Sequence, residues 1–253
     1  MQLSLRLTAI AEMVTEGNRL VDVGCDHGYL PVYLLLNKKI PEAIAMDVRK
    51  GPLSRAQEHI AQFGLEGYIH TRLSDGLEAL TAGEGDTLVI AGMGGPLMER
   101  ILTDGAAVRD SFRELILQPQ SDIPHFRRFI RSEGYEIVAE EMVEEDGKFY
   151  PLMKAVKAKD APLLHDIGES QLPHDTVDSL PQPYTTEEEW FGPILLRQLH
   201  PILKRYLERE LRIREDILVK LKAAPGEAAW KRLTEVEEER QLIKAALKKY
   251  ESI

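Results

Sequence analysis

Short apolar runs alternate with helical patterns over the first 157 residues of this 253-residue chain. Turn residues follow each run, and apolar residues at helical spacing come next, which is typical of buried parallel strands joined by helices. The runs are RLVDV (19–23), AIAMD (43–47), YIHTR (68–72), DTLVI (86–90) and ELILQ (114–118). The alternation predicts an α/β fold of βαβ units, with a helix after each strand.

The first predicted domain, residues 1–157, should end in an antiparallel hairpin. Residues 135–143 and 149–157 have the apolar patterns of strands, and an Asp-Gly pair that favours a tight turn lies between them. Over residues 158–185, prolines, histidines and acids replace the periodic pattern. We therefore predict an acidic linker there.

A helical hairpin is predicted over residues 186–253. Thr185 and Glu188, or Thr186 and Glu189, have the spacing of a capping box at its start. Two stretches with apolar residues three and four apart follow, and a Pro-Gly pair separates them. This pattern favours two antiparallel helices with a coiled-coil-like seam.

The chain has a formal charge of −10 and one cysteine, Cys25. A single cysteine excludes an intrachain disulfide and leaves no cysteine cluster for zinc, so no structural metal is expected. The start lacks the pattern of a secretory signal, and no run reaches roughly 18 apolar residues, which favours a cytoplasmic protein without a membrane span. Residues 195–222 nevertheless carry eight Lys or Arg against four acids, so a local basic face is compatible with a nucleic-acid partner.

The sequence VDVGCDHGYLP brings a glycine-lined turn to the start of a helix. Asp22 lies in the first strand, and Gly24, Asp26, His27 and Gly28 follow it. A helix N-terminus at the carboxyl edge of an open α/β sheet is the usual position of a ligand. Asp26 stands where a dinucleotide-binding loop has its middle glycine, and its charge would repel a pyrophosphate. The same charge suits the cationic groups of S-adenosylmethionine.

Two further carboxylates fit that cofactor. Asp47 ends the second predicted strand and can accept both hydroxyls of a ribose, while Asp75, after the third strand, can accept the amino group of an adenine. The predicted cofactor contacts are Arg6, Asp22, Gly24, Asp26, His27, Gly28, Asp47, Val48, Ser74, Asp75, Gly76, Ala91 and Gly92. The alternative is a set of glycine turns with capping aspartates.

A resemblance covers residues 1–157. The segments SLRL, DVGCDHGYLP, DVRKGPLSRA, SDGL, VIAGMGG, LILQP and EEDGKFY, in this order, resemble the bacterial tRNA (adenine-22-N1)-methyltransferase family. The resemblance implies a Rossmann-like class I methyltransferase sheet with a C-terminal helical hairpin, S-adenosylmethionine as cofactor, and tRNA adenine 22 in the D-arm as substrate. Leu5, where the family has a basic residue, and Arg49, where it has asparagine, are departures that bear on RNA contact and the cofactor's edge.

Methylation at adenine N1 needs no general base, because N1 already holds an unshared in-plane electron pair. Catalysis then consists of placing N1 in line with the methyl group and tolerating a cationic product. The predicted catalytic residues are Asp26, His27, Gly92, Met93 and Gly94. Gly92, Gly94 and Gly95 are expected to clear room for the base, and Met93 to offer a soft surface against it. N6-specific adenine methylases commonly have Asn-Pro-Pro-aromatic at this place, which is absent here.

Several residues keep two interpretations. His27 either binds the base or the cofactor carboxylate, or caps the following helix; Arg6 binds RNA phosphate or that carboxylate, or forms a surface ion pair. Phe149 and Tyr150 either stack on a base or belong to the core. The predicted RNA contacts are Arg127, Arg128, Arg131, Lys204, Arg205, Arg209, Arg212 and Lys220. The alternative interpretation is that these residues form solvated or salt-bridged helix faces.

Two other functions remain open at this point. A methyltransferase for a small molecule or protein would use the helical hairpin for dimerisation or as a lid. A non-catalytic RNA-binding module would keep the fold but would not need the carboxylates of the cofactor site. We expect tRNA as partner and a monomer or weak dimer.

Overall fold

The computed structural model describes residues 1–161, 183–223 and 226–251. The chain divides into two compact units, Met1–Asp166 and Ile167–Ile253. Most of the predicted acidic linker lies outside the described residues, so its conformation stays a prediction. None of the described helices has the length and apolar composition that crossing a membrane requires.

The first unit contains seven strands among its described residues. They are β1 Leu20–Val23, β2 Ala43–Asp47, β3 Ile69–Leu73, β4 Thr87–Met93, β5 Glu114–Pro119, β6 Tyr135–Glu145 and β7 Lys148–Lys157. The helices of this unit are α1 Leu5–Met13, α2 Tyr29–Leu36, α3 Lys50–Gln62, α4 Gly95–Asp104, α5 Ala106–Arg109 and α6 Ile123–Ser132. A 3-10 turn, Ala158–Asp160, follows β7.

The strands form one sheet in the order β3-β2-β1-β4-β5-β7-β6. The first five are parallel, and β7 is inserted antiparallel between β5 and β6. β1, β2 and β5 are buried along their whole length, as their apolar runs predict. The predicted α/β class is confirmed. The parallel strands all end at one edge of the sheet, and this edge gathers the loops that follow them.

The expected helix after β3 is wrong. Residues 74–86 form successive turns, and Ser74 holds the first of them by donating to the Gly76 carbonyl and accepting from the Ala79 amide. A serine hydroxyl that bonds the nearby backbone offers the chain an alternative to helical hydrogen bonds. The link between β3 and β4 therefore contains no helix, and it contacts α4 through the Asp75–Arg100 ion pair and the packing of Gly76 near Ile101.

The predicted hairpin of β6 and β7 is present, with a two-residue turn. Asp146 and Gly147 both have positive φ, at 50° and 70°, and Glu145 pairs with Lys148. Two successive residues with positive φ match the right-handed twist of the flanking strands, which is why Asp-Gly is favoured there.

Helix α1 is fastened to the sheet at both of its ends. Ser4 caps its start, and the Leu5 amide donates to Glu145 Oε1 at 2.6 Å. At its other end, Lys154 Nζ donates to the Met13 carbonyl and forms a 2.7 Å ion pair with Glu114. The contacts at its two ends hold α1 beside the β6–β7 hairpin.

The second unit has helices α7 Thr186–Phe191, α8 Pro193–Arg197, α9 Pro201–Ala223 and α10 Glu227–Lys248 among its described residues. The capping box uses Thr185 and Glu188. The seam between α9 and α10 buries the leucines and β-branched residues that the sequence pattern selects. Among the buried ones are Leu203, Leu207, Leu218, Val236 and Ile243. The predicted helical hairpin is confirmed, with two short helices ahead of it.

Candidate functional site

The loop after β1 is shaped by three residues with positive φ. Gly24, Asp26 and Gly28 have φ of 78°, 48° and 67°, and Gly28 is the N-cap residue of α2. The amides of Gly24 and Cys25 both donate to the Met46 carbonyl, which ties the loop to β2. Asp26 is a non-glycine residue in a strained conformation, as is common at functional sites. Its carboxylate is largely exposed beside the start of α2.

Asp22 and Asp47 form a buried acidic pair behind this loop. Burial raises the pKa of Asp22 to about 7, with the nearby Asp47 charge adding to the rise and the Arg6 guanidinium opposing it. Asp47 is only 6% exposed, and its Oδ1 accepts from the Arg49 amide at 2.8 Å. The arrangement would be stabilised by a ligand that brings a positive charge or hydroxyl donors.

The loop after β3 reaches the same edge. The Ser74 amide donates to the Asp47 carbonyl, but the Ser74 hydroxyl is already used within its own turn. The Asp75 carboxylate is exposed and forms a 2.9 Å ion pair with Arg100. Val48, next to Asp47, presents an exposed apolar side chain. Gly76 is required by packing, since a Cβ there would press on Ile101 of α4.

The end of β4 carries a bulge that a glutamine stabilises. The pairing of β4 with β5 shifts register between Ala91 and Met93, which leaves the Gly92 amide outside the ladder. The side-chain oxygen of buried Gln118 accepts from this amide at 3.1 Å and from Arg6 Nη1 at 3.2 Å. Gln118 thus supplies the hydrogen bond that the bulge removes, and it brings α1 and the end of β4 together.

Arg6 lies beside this bulge, whose surface at Gly92 we call the floor. Its guanidinium carbon lies 5.6 Å from the centre of the Tyr150 ring on β7, and its Nη1 lies 3.6 Å from where a Cβ on Gly92 would stand. Tyr150 is half-buried, so the core and stacking interpretations are not exclusive. Sequence reasoning missed Gln118; the signal was a polar residue that closes the otherwise apolar run ELILQ.

The glycines of AGMGG mostly serve the protein's own packing, which corrects the expectation that they clear room for a base. A Cβ on Gly94 would meet the Ser121 hydroxyl at 2.9 Å, and one on Gly95 would meet the Ser121 carbonyl at 2.6 Å. The Met93 methyl lies against Gly24 in the first loop. Gly92 differs from Gly94 and Gly95, because a Cβ there would make only ordinary van der Waals contacts, with Arg6 Nη1 at 3.6 Å and Gln120 Nε2 at 3.7 Å.

His27 is not a helix cap. The N-cap residue of α2 is Gly28, and no side chain caps it. The His27 ring instead stacks on Tyr29 with 5.5 Å between ring centres, and its Nε2 lies 3.7 Å from Asp26 Oδ1. His59 closes the group, with Nδ1 3.2 Å from the His27 carbonyl oxygen. The ring lies partly exposed in the loop after β1.

Arg127 is wrong as an RNA contact. Its side chain is 1% exposed and forms a 3.0 Å ion pair with the fully buried Glu140. Arg128 on the same helix is exposed. Arg131 is half-buried, and its Nε lies 3.5 Å from Glu136. Of this cluster, Arg128 keeps the accessibility that a phosphate contact needs.

The predicted basic residues of α9 all lie on its exposed side. They are Lys204, Arg205, Arg209, Arg212 and Lys220. The ion pairs between the two helices include Arg214 of α9 with Glu239 of α10 at 2.8 Å and Lys244 with Glu215 at 3.9 Å. The RNA contact of this exposed face stays a prediction.

Cys25 is buried, and burial raises the pKa of its thiol far above the ordinary value, so it is an unreactive packing residue. Among the described residues, no group of three or more His, Cys, Asp or Glu is placed to hold a metal ion. The polar groups at the sheet edge include carboxylates, amides and the guanidinium groups of Arg6, Arg49 and Arg100.

Residues 3–153 match the family model described as Methyltransferase domain. The chain is 31% identical over 248 residues to the tRNA (adenine(22)-N(1))-methyltransferase of Bacillus subtilis, covering 98% of each chain. Sp1610 of Streptococcus pneumoniae, solved with S-adenosyl-L-methionine, has 30% identity and a TM-score of 0.77, with 97% of this chain and 100% of that one covered. M. capricolum TrmK, solved with S-adenosyl-homocysteine, has 25% identity and a TM-score of 0.76 over 98% and 99%. The chain belongs to the tRNA (adenine(22)-N(1))-methyltransferase family.

Proposed function

We propose that this protein transfers a methyl group from S-adenosylmethionine to N1 of adenine 22 in tRNA. Two observations together support the proposal. A relative named for that activity matches 98% of this chain, and the carboxyl edge of the sheet carries the acidic residues Asp22, Asp26 and Asp47. The fold alone would not specify a substrate, because one fold supports many functions.

The residues of the edge fit the cofactor by their chemistry. Asp47 has one oxygen engaged by the Arg49 amide and the other available for ribose hydroxyls. Asp22, held partly protonated by burial, favours a ligand with a positive charge. Asp75 would accept from the adenine while its other contacts stay with Arg100. The bound cofactor supplies an electrophilic methyl group on a sulfonium.

The floor beside Gly92 suits an acceptor that needs no general base. Gln118 has its side-chain oxygen engaged by Gly92 and Arg6, and Arg6 is a cation, so neither takes up a proton. Adenine N1 attacks with its own electron pair, and the protein contributes position and orientation. The carboxylate of Asp26, on the adjoining loop, would offset the charge of the methylated base.

The tRNA is proposed to contact the exposed cations of α9 and Arg128 of α6. Arg205, Arg209 and Arg212 follow one another at helical spacing on the exposed side of α9 and can meet successive phosphates. Because tRNA is a cytoplasmic substrate, we propose a cytoplasmic protein, and we propose a monomer or weak dimer.

The test is incubation of the protein with labelled S-adenosylmethionine and unmodified tRNA, followed by nucleoside analysis. We expect 1-methyladenosine with tRNA that has adenine at position 22 and none with a transcript that has guanine there. Cofactor binding without any methylated nucleoside would favour a small-molecule or protein acceptor and would refute the proposal.

A further inference from the structure

Gln120 lies next to Gly92, and its backbone is fixed by a hydrogen bond. Its amide donates to the Met93 carbonyl at 2.8 Å, which fastens the residue after β5 to the end of β4. Its side-chain nitrogen lies 3.7 Å from the position of a Cβ on Gly92, and the side chain is exposed. Gln120 therefore borders the same floor as Arg6 and Gln118.

The two glutamines of LILQPQ differ in what they do for the fold. Gln118 is buried, and its amide is engaged at both ends: the oxygen by Gly92 and Arg6, the nitrogen by the Pro119 carbonyl at 3.3 Å. Among the residues that the structure describes, none exchanges a hydrogen bond with the side-chain amide of Gln120. The hydrogen bonds of the fold therefore use the Gln118 side chain, whereas the Gln120 amide can bind a ligand.

The acceptor proposed above presents a matching edge. When N1 of adenine faces the methyl group, the exposed edge of the base offers the N6 amino group as donor and N7 as acceptor. A glutamine amide pairs with these two groups bidentately, with its oxygen accepting from N6 and its nitrogen donating to N7. Guanine offers two acceptors, O6 and N7, so one half of the pair would be lost and its O6 would face the amide oxygen.

We propose that Gln120 is a specificity-determining residue that reads the N6 and N7 edge of the target adenine. This assignment rests on the proposed function. β5 pairs with β7 in a register that sets Leu117 opposite Met153, so Tyr150 lies near the same edge of the sheet as Gln120. Tyr150 and Arg6, which is stacked over its ring, border the floor on the side of β7. The base would then lie beside the Gln120 amide, with its N6 and N7 edge toward it.

The experiment compares wild-type protein, Gln120→Ala and the control Gln62→Ala on tRNAs that differ only at position 22. Gln62 is an exposed glutamine at the end of α3, away from the sheet's carboxyl edge. The tRNAs carry adenine, 7-deazaadenine, which lacks the N7 acceptor, or purine, which lacks the N6 donor. Methyl incorporation gives kcat/KM, and calorimetry with S-adenosylmethionine checks that each variant keeps the cofactor site.

We expect Gln120→Ala to lower kcat/KM on adenine by about 10- to 100-fold and to cause a much smaller loss on the two analogues. Gln62→Ala should match the wild type on all three. An equal loss on every base, or no loss on adenine, would overturn the assignment of Gln120 alone. If the wild type formed no 1-methyladenosine, the proposed function would fail, and the assignment with it.

Discussion

The methyl group of Met93 occupies the space that a Cβ on Gly24 would fill. The end of β4 and the loop after β1 are thereby packed against each other, so the two segments form one unit of structure. Gly24 also has a φ of 78°, which side chains other than glycine rarely adopt. Glycine is thus required at position 24 for two independent reasons, the packing of Met93 and the positive φ.

Gly24→Ala should therefore cost more than backbone strain. The positive φ alone costs about 1–3 kcal/mol, and displacement of the Met93 methyl adds to it. Gly17 is a matched control, because its φ is 82° and nothing lies within 4 Å of its Cβ position. We expect Gly24→Ala to lower the free energy of unfolding more than Gly17→Ala, and to weaken cofactor binding. Equal losses in urea titrations would contradict the packing argument.

Stability should depend on the ionisation of Asp22. Its folded-state pKa of about 7 lies above the ordinary 3.8, so between these values the folded protein binds a proton that the unfolded chain does not. The contribution of Asp22 to the free energy of unfolding is therefore fully present below pH 3.8 and is lost as the pH rises from there to about 7. Unfolding of the cofactor-free protein between pH 5 and 8 should show this decline, and Asp22→Asn should reduce it.

The same pKa predicts that cofactor binding releases a proton near pH 6.5. A cationic ligand favours the ionised form of Asp22, so affinity should increase as the pH rises toward 8. Calorimetry in two buffers of different ionisation enthalpy measures the released protons. An unchanged proton count in Asp22→Asn would assign the release to another group.

Asp47→Asn should weaken S-adenosylmethionine binding by about tenfold or more, because hydrogen bonds to a charged acceptor are worth about 1.5–3 kcal/mol. The asparagine oxygen can still accept from the Arg49 amide, which keeps the local turn. Asp160→Asn, at an exposed position after β7, is the control. Unchanged affinity in Asp47→Asn would show that the ribose lies elsewhere.

Arg127 and Arg128 are adjacent but should behave differently. Arg127→Gln leaves buried Glu140 without this ion pair and should lower the free energy of unfolding by about 3–5 kcal/mol. Arg128→Gln should change stability by less than about 0.5 kcal/mol and weaken tRNA binding instead. Denaturant titration and filter binding separate the two effects. A tRNA defect in a fully stable Arg127→Gln would contradict its structural assignment.

The exposed face of α9 can be tested by matched charge removal. Arg205→Gln with Arg212→Gln should raise the Kd for tRNA and reduce its salt dependence by roughly 0.7–0.9 in log–log slope for each phosphate that the protein no longer neutralises. Lys231→Gln with Lys249→Gln removes the same charge from exposed positions of the α10 segment. Equal effects of the two pairs would indicate that net charge, and not this face, governs binding.

Local patterns predicted most of the strands and the helical hairpin. The runs 43–47 and 114–118 match β2 and β5 closely, because a buried strand needs an unbroken apolar stretch. The same patterns wrongly predicted a helix between β3 and β4, where the Ser74 hydroxyl holds a turn instead. They also gave no sign that β7 lies between β5 and β6, since strand order depends on contacts between segments distant in sequence.

The sequence by itself determined the chemistry of this protein: carboxylates in and after β1 and at the end of β2, glycines in the adjoining loops and a basic stretch in α9. Only the tertiary structure decided which residues cooperate. It buried Arg127 against Glu140, turned Met93 toward Gly24, and brought Arg6, Gln118 and Gln120 to Gly92. The reason is physical: residue type sets what a side chain can do, whereas burial and the distance to its partners set what it does.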